Sequence, residues 1–209
     1  GLDGGAIPLL ERRLRSDPNP DVRISALRGI TQLSSTRGVA MARRVLGHSD
    51  PGLVGAAVGI LGDHGGLEDL GRLLSPQLRR KVRTRGLRAA ASVIRRADKG
   101  SAQEQAMARM SGVLVGLLGD LDFRARQTAV SLLTSIGDKS AISHLEAFRR
   151  IETVASLSES ARNAVKEIRS RANEVDAPAK ENQREAQLKD LESRIEELED
   201  QMRAWNDKH

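Results

Sequence analysis

One hydrophobic rhythm recurs along the chain. A small residue is followed by an apolar residue one position on and another four positions on. It appears at Ala26 in "DVRISALRGITQL", Ala57 in "GLVGAAVGILGDH", Gly86 in "KVRTRGLRAAASVI", Ala129 in "RARQTAVSLLTSIGD" and Ala164 in "SARNAVKEIRSRA". The next positions are Leu27, Val58, Leu87, Val130 and Val165, and the later ones Ile30, Leu61, Ala90, Leu133 and Ile168. Such spacing predicts one buried stripe per helix, with the small residue where a neighbouring helix comes close. The anchors lie 31, 29, 43 and 35 residues apart, a period that signals stacked supersecondary units.

The first and fourth copies share more than the stripe. "DPNPDVRISALRGI" from Asp17 and "DLDFRARQTAVSLL" from Asp120 both begin with Asp, carry Arg at the seventh place and Ala at the tenth. The pattern predicts turns at Asp17 and Asp120, with Asp as the helix N-cap. Pro18, Pro20 and Pro51 fall in the same kind of turn, where a missing N–H costs little. Second helices lie between the anchors. "DGGAIPLLERRL" from Asp3 matches "DKSAISHLEAFR" from Asp138, while "GVAMARRVL" around Val39 and "GGLEDLGRLL" around Leu67 fill the same role. Gly62-Asp63 and Gly137-Asp138 read as helix stops followed by new caps.

The unit is a helical hairpin of about thirty residues, in five registered copies. With its Asp, Val-Arg, Ala and Gly-Asp signposts, it resembles HEAT-like repeats of the short bacterial kind over about residues 3–172. The resemblance implies an all-α, right-handed α-solenoid. Gly86 replaces the anchor alanine in the third copy, and the spacing to the fourth is the longest, so a long helix is expected over about 102–118. The first element has the character of a second helix without its first. An array opening in mid-repeat is expected to be the C-terminal part of a longer protein.

After Ala172 the rhythm stops. Residues 173–185 are polar, contain Pro178 and read as a linker or a loose helix start. From 186 to 209 a heptad helix is expected, with Leu188, Leu191, Ile195, Leu198, Met202 and Trp205 on its seam. Glu192, Arg194 and Glu199 flank that seam. The helix either folds back on the repeats, extends freely or pairs with a second copy as a homodimer.

Composition narrows the chemistry. Phe123, Phe148 and Trp205 are the three aromatic residues, and cysteine is absent. A core of Leu, Ile, Val and Ala suits thin helical layers, and Cys-zinc, disulfide and thiol chemistry are excluded. No segment reaches the length of apolar residues needed to span a membrane. None of the four histidines begins an H-E-x-x-H pair. His64, with Asp63, Glu68 and Asp69, sits at a Gly-rich turn and reads as exposed turn residues rather than a metal site. His144 reads as a surface or half-buried helix residue. The glycines of "DPGLVGAAVGILGDHGG" follow no strand, so they form no phosphate loop. No nucleophile, acid–base pair, metal site or cofactor site is apparent, and no catalysis is assigned to these residues.

Charge is uneven. Residues 1–150 carry 24 Lys and Arg against 14 Asp and Glu, and residues 151–209 carry 10 against 14. The densest basic stretch contains Arg79, Arg80, Lys81, Arg83, Arg85, Arg88, Arg95 and Arg96, with Asp98 the sole acid in its window. The later arginines read as spread over more than one helix face, and no nearby aromatic residue could stack a base. A solvated face, or one docked on an acidic protein surface, fits better than nucleic acid.

A second resemblance concerns about residues 105–205. "SIGDKSAISHLEAFRRIETVASLSESARNAVKEIRSR", the polar break and "LKDLESRIEELEDQMRAW" are similar to the C-terminal end of bacterial aminopeptidase-N-like zinc metallopeptidases. That resemblance implies a zinc-binding catalytic domain upstream, with this segment covering its cavity and limiting peptide access. No zinc ligand or acid–base residue carries over to a position here. The rival reading is a stand-alone scaffold that binds protein along its groove and dimerises through its last helix.

Overall fold

A computed structural model describes residues 3–82, 84–137 and 139–206, with side chains apart from 3, 4, 79–81, 175–183, 196, 197, 199–201 and 203–206. Among the described residues there is no strand. The helices are α1 (Asp3–Ser16), α2 (Pro20–Leu33), α3 (Ser35–Val45), α4 (Pro51–His64), α5 (Leu70–Leu73), α6 (Pro76–Val82), α7 (Arg85–Arg96), α8 (Ser101–Leu117), α9 (Phe123–Ile136), α10 (Ser140–Ile151) and α11 (Ala155–Asn206). A 3-10 turn, Leu67–Asp69, leads into α5.

The anchor helices stack in sequence order: α2 on α4, α4 on α7, α7 on α9 and α9 on α11. Around them, α1 and α3 flank α2, α3 packs on α4, α5 and α8 pack on α7, and α10 packs on α8 and α11. This is an all-α solenoid with one continuous core from Leu14 to Ile168. All five anchors are buried. So are the ten apolar residues one and four positions beyond them. Truncating a leucine of this class, such as Leu27 or Leu133, costs about 2–5 kcal/mol.

The third copy shows why its anchor is glycine. A Cβ on Gly86 would lie 2.5 Å from the Leu73 carbonyl oxygen and 3.1 Å from Leu78 Cδ2. Helix α7 therefore passes directly over the end of α5. Its second helix, α8, has 17 residues against 11–14 for α1 to α4, as the long spacing predicts.

Several expectations change. Gly62 and Asp63 are no helix stop and cap, since α4 runs through both to His64 and Gly65 is its C-cap. The Asp residues opening the repeated stretch are not the N-caps. Asn19 caps α2 and Asp122 caps α9, each accepting a backbone N–H two residues on. Asp17 and Asp120 instead accept the N–H of those caps, at 3.0 and 2.8 Å, and so shape the approach to the helix. The "GGLEDLGRLL" segment is not a full second helix. It is shortened to a 3-10 turn and the four residues of α5, because Asp69 turns inward and Pro76 disfavours helix at Ser75. Residues 173–185 are no break in the backbone, since α11 runs through them for 52 residues in all. Ala, Glu, Lys, Gln and Arg surround Pro178 and carry the helical preference, while one proline removes one backbone hydrogen bond.

Candidate interaction surfaces

The buried or half-buried charges are mostly committed to holding repeats together. In the two copies that share Asp and Arg, the arginine returns to its own turn and reaches the next one. Arg23 Nη1 donates to the Asp17 carbonyl at 3.1 Å and Nη2 to Asp50 Oδ2 at 3.4 Å. Arg126 Nη1 donates to the Asp120 carbonyl at 2.8 Å and Nε to Glu152 Oε2 at 2.9 Å. Gly52 N–H, then Leu53 N–H and Arg23, hold Asp50 below the ordinary carboxyl range against a desolvation effect that raises it. Val154 N–H, and after it Arg126, do the same for Glu152 against desolvation.

Asp69 gives the shortened third unit its own clamp. Arg43 from α3 donates Nε to Oδ1 at 2.7 Å and Nη2 to Oδ2 at 2.8 Å. The Asp69 side chain is fully buried. Arg43 also bonds Glu68 at 2.7 Å, and these carboxylates, Asp69 first, raise its already high pKa. Of the residues read as an exposed turn around His64, Asp63 and Glu68 are exposed but Asp69 is not. A carboxylate 26 residues from its arginine leaves no local trace in sequence. His64 lines a groove with Arg28, Thr31 and Ile60, and His144 is exposed. Among the described residues, no group of three His, Cys, Asp or Glu gathers as a metal site would require.

Helix ends are closed by long polar side chains; the sequence pointed to Arg96 only as part of the basic cluster, and to Arg171 and Gln103 not at all. Arg96 Nη2 donates to the Gly62 and Gly65 carbonyls at the end of α4, at 2.7 and 3.2 Å. Arg171 bonds the Ser135, Thr134 and Gly137 carbonyls at the end of α9, each within 3.0 Å. Gln103 from α8 does the same for Ile94 and Ala97 at the end of α7.

The predicted basic cluster is thereby divided. Arg79, Arg80, Lys81 and Arg83 lie outside the residues whose side chains are described. Arg96, itself exposed, is bonded to the carbonyls that end α4. Arg85, Arg88 and Arg95 are exposed on α7. The four arginines of α7 span an arc of about 100° at helical spacing, so they share one broad face rather than several. Among the described residues, no ion pair engages Arg85, Arg88 or Arg95. Residues 70–97 contain no Asp or Glu. Other exposed arginines, such as Arg28 on α2 and Arg109 on α8, stand apart on other helices.

The predicted heptad seam forms a second surface. Leu188, Leu191, Ile195, Leu198 and Met202 are 54–68% exposed, so α11 does not fold this stripe back on the repeats. Trp205 lies outside the residues whose side chains are described. Among the described residues, the last buried residue of α11 on the repeat core is Ile168, and residues 173–206 continue for about 50 Å of helix. Among the described residues, no helix is long and apolar enough to cross a membrane.

Comparison with known proteins supports the repeat architecture. Residues 7–95, from α1 into α7, match the family model of HEAT repeats. The chain is thus similar to HEAT repeat proteins over its first units. No curated protein matches it.

Proposed function

We propose that the chain is a non-catalytic helical-repeat module that binds an acidic protein surface through the exposed face of α7. The observation that carries this reading is the placement of Arg85, Arg88 and Arg95. They share one exposed helix face without an ion pair among the described residues, inside a stretch that contains no acid. The arginines of the inter-repeat contacts, Arg23, Arg43 and Arg126, are already engaged. Complementary charge steers association and selects partners more than it adds affinity.

The HEAT repeat match supports a module built for contact with protein, since helical-repeat arrays present extended surfaces for that purpose. It lies at 7–95 and does not overlap residues 105–205, on which the metallopeptidase resemblance rests. An acidic catalytic domain of the same polypeptide is one surface that would fit the α7 face. A separate acidic protein is another.

A Glu-rich peptide and a DNA duplex of similar net charge, titrated by fluorescence anisotropy, test the reading. The peptide is expected to bind the chain, and Arg88→Glu with Arg95→Glu to weaken it about tenfold, or about 1.4 kcal/mol. Equal affinity in wild type and variant overturns the assignment. Tighter binding of the duplex, with a steep salt dependence, replaces it with a nucleic-acid surface.

A further inference from the structure

We propose that the exposed end of α11 pairs with the same segment of a second copy as a parallel, two-stranded coiled coil. This rests on the reading of the chain as a protein-binding module and supplies one partner for it. The seam places Leu188, Ile195 and Met202 at one core position of the heptad and Leu191 and Leu198 at the other. All five are more than half exposed in the single chain. A contiguous apolar stripe of this kind on a soluble helix marks a contact surface. Leucine at the second core position, with isoleucine at the centre of the first, favours two strands.

Charge decides the occupant and its direction. Glu185, Glu192 and Glu199 recur at the flanking position after the second core residue, and Arg194 stands at the flanking position before the first. In a parallel pair, each flanking residue of Arg194's kind faces the partner's residue five positions on, which sets Arg194 opposite the partner's Glu199. In an antiparallel pair, the three glutamates of one strand face those of the other. Like charges there disfavour that arrangement.

The seam also stops where two repeat bodies must separate. Continued upstream in the same register, its core positions fall on Arg184, Glu181, Ala177 and Glu174, three of them charged, and of these Arg184 and Glu174 are exposed. From Ile168 to Leu188 the helix advances about 30 Å. That distance lets the bodies stand beside each other without leaving the shared coil.

Sedimentation equilibrium of the full chain over a dilution series is the test. The expected result is a reversible shift from 22.7 kDa to twice that mass. Leu191→Glu with Leu198→Glu should remain monomeric with an unchanged thermal transition of the repeats, because neither residue packs on them. Since the chain has no cysteine, Leu188→Cys reports direction unambiguously. Oxidation should cross-link it to itself in a parallel pair. Cross-linking of Leu191→Cys to Met202→Cys in a mixture, without self-linking of Leu188→Cys, overturns the direction. A monomer throughout the dilution series, or a trimer, overturns the proposal. Acidic-peptide binding retained by such a monomer would leave the protein-binding reading standing.

Discussion

Replacing Arg43 by leucine should uncover the cost of a buried, unpaired carboxylate. The perturbation removes two hydrogen bonds to Asp69, of 2.7 and 2.8 Å, and the charge that balances it. The Asp69 side chain has no exposed surface. It would keep the Gly66 N–H at 3.3 Å and Arg72 at 3.6 Å. Breaking a buried pair by removing one partner costs about 3–5 kcal/mol. Arg72 compensates in part and Arg43 is itself one-third exposed, so we expect about 3 kcal/mol. For a chain of this size that corresponds to a fall of about 6–12 °C in Tm. Arg43→Leu combined with Asp69→Leu removes both charges and should recover most of the loss. Urea unfolding followed by circular dichroism reads both variants, and amide exchange at Leu70 and Leu73 localises the effect. If Arg43→Leu loses less than about 1 kcal/mol, or if the double variant is no more stable than the single, the clamp does not hold the shortened third unit in place.

Gly86→Ala should destabilise the chain by about 1–3 kcal/mol despite alanine's better helix propensity, because its Cβ would collide with the Leu73 carbonyl. A higher Tm in that variant would show that α7 does not need the close approach. The lowered pKa of Glu152 gives a pH dependence of definite sign. Its folded value is below its unfolded value, so the stabilisation is complete above the ordinary value of 4.5 and is lost as pH falls below it through the folded value. The stability gap between wild type and Glu152→Gln should therefore close as urea titrations move below that pH. A gap that widens on acidification would contradict the assignment.

The stripe-bearing parts of this fold were legible because a helix repeats its buried face locally. Ala26, Leu27 and Ile30 announce their burial within five residues, and the same holds for Ala129, Val130 and Leu133. The contacts between repeats were not legible in the same way. Arg23 and Asp50 are 27 residues apart, and Arg126 and Glu152 are 26 apart. Neither spacing is a helical or strand period, so the shared Asp and Arg could be seen as repeated but not as joined. The cap positions shifted for a related reason. Asp17 and Asp120 recur, yet the residues two places on, Asn19 and Asp122, differ in type while doing the same work. The basic stretch was visible as charge, but its division was not. Only packing shows that Arg96 closes α4 while Arg88 faces solvent.

Partner binding is expected to follow that division of arginines into those engaged within the repeats and those open to a partner. The direct measurement is the NMR spectrum of arginine Nε–Hε groups during titration with a Glu-rich peptide. Shifts concentrated on Arg85, Arg88 and Arg95, with Arg23, Arg43 and Arg126 unmoved, are the predicted result. Shifts spread evenly over the exposed arginines, or absent from α7, would contradict it.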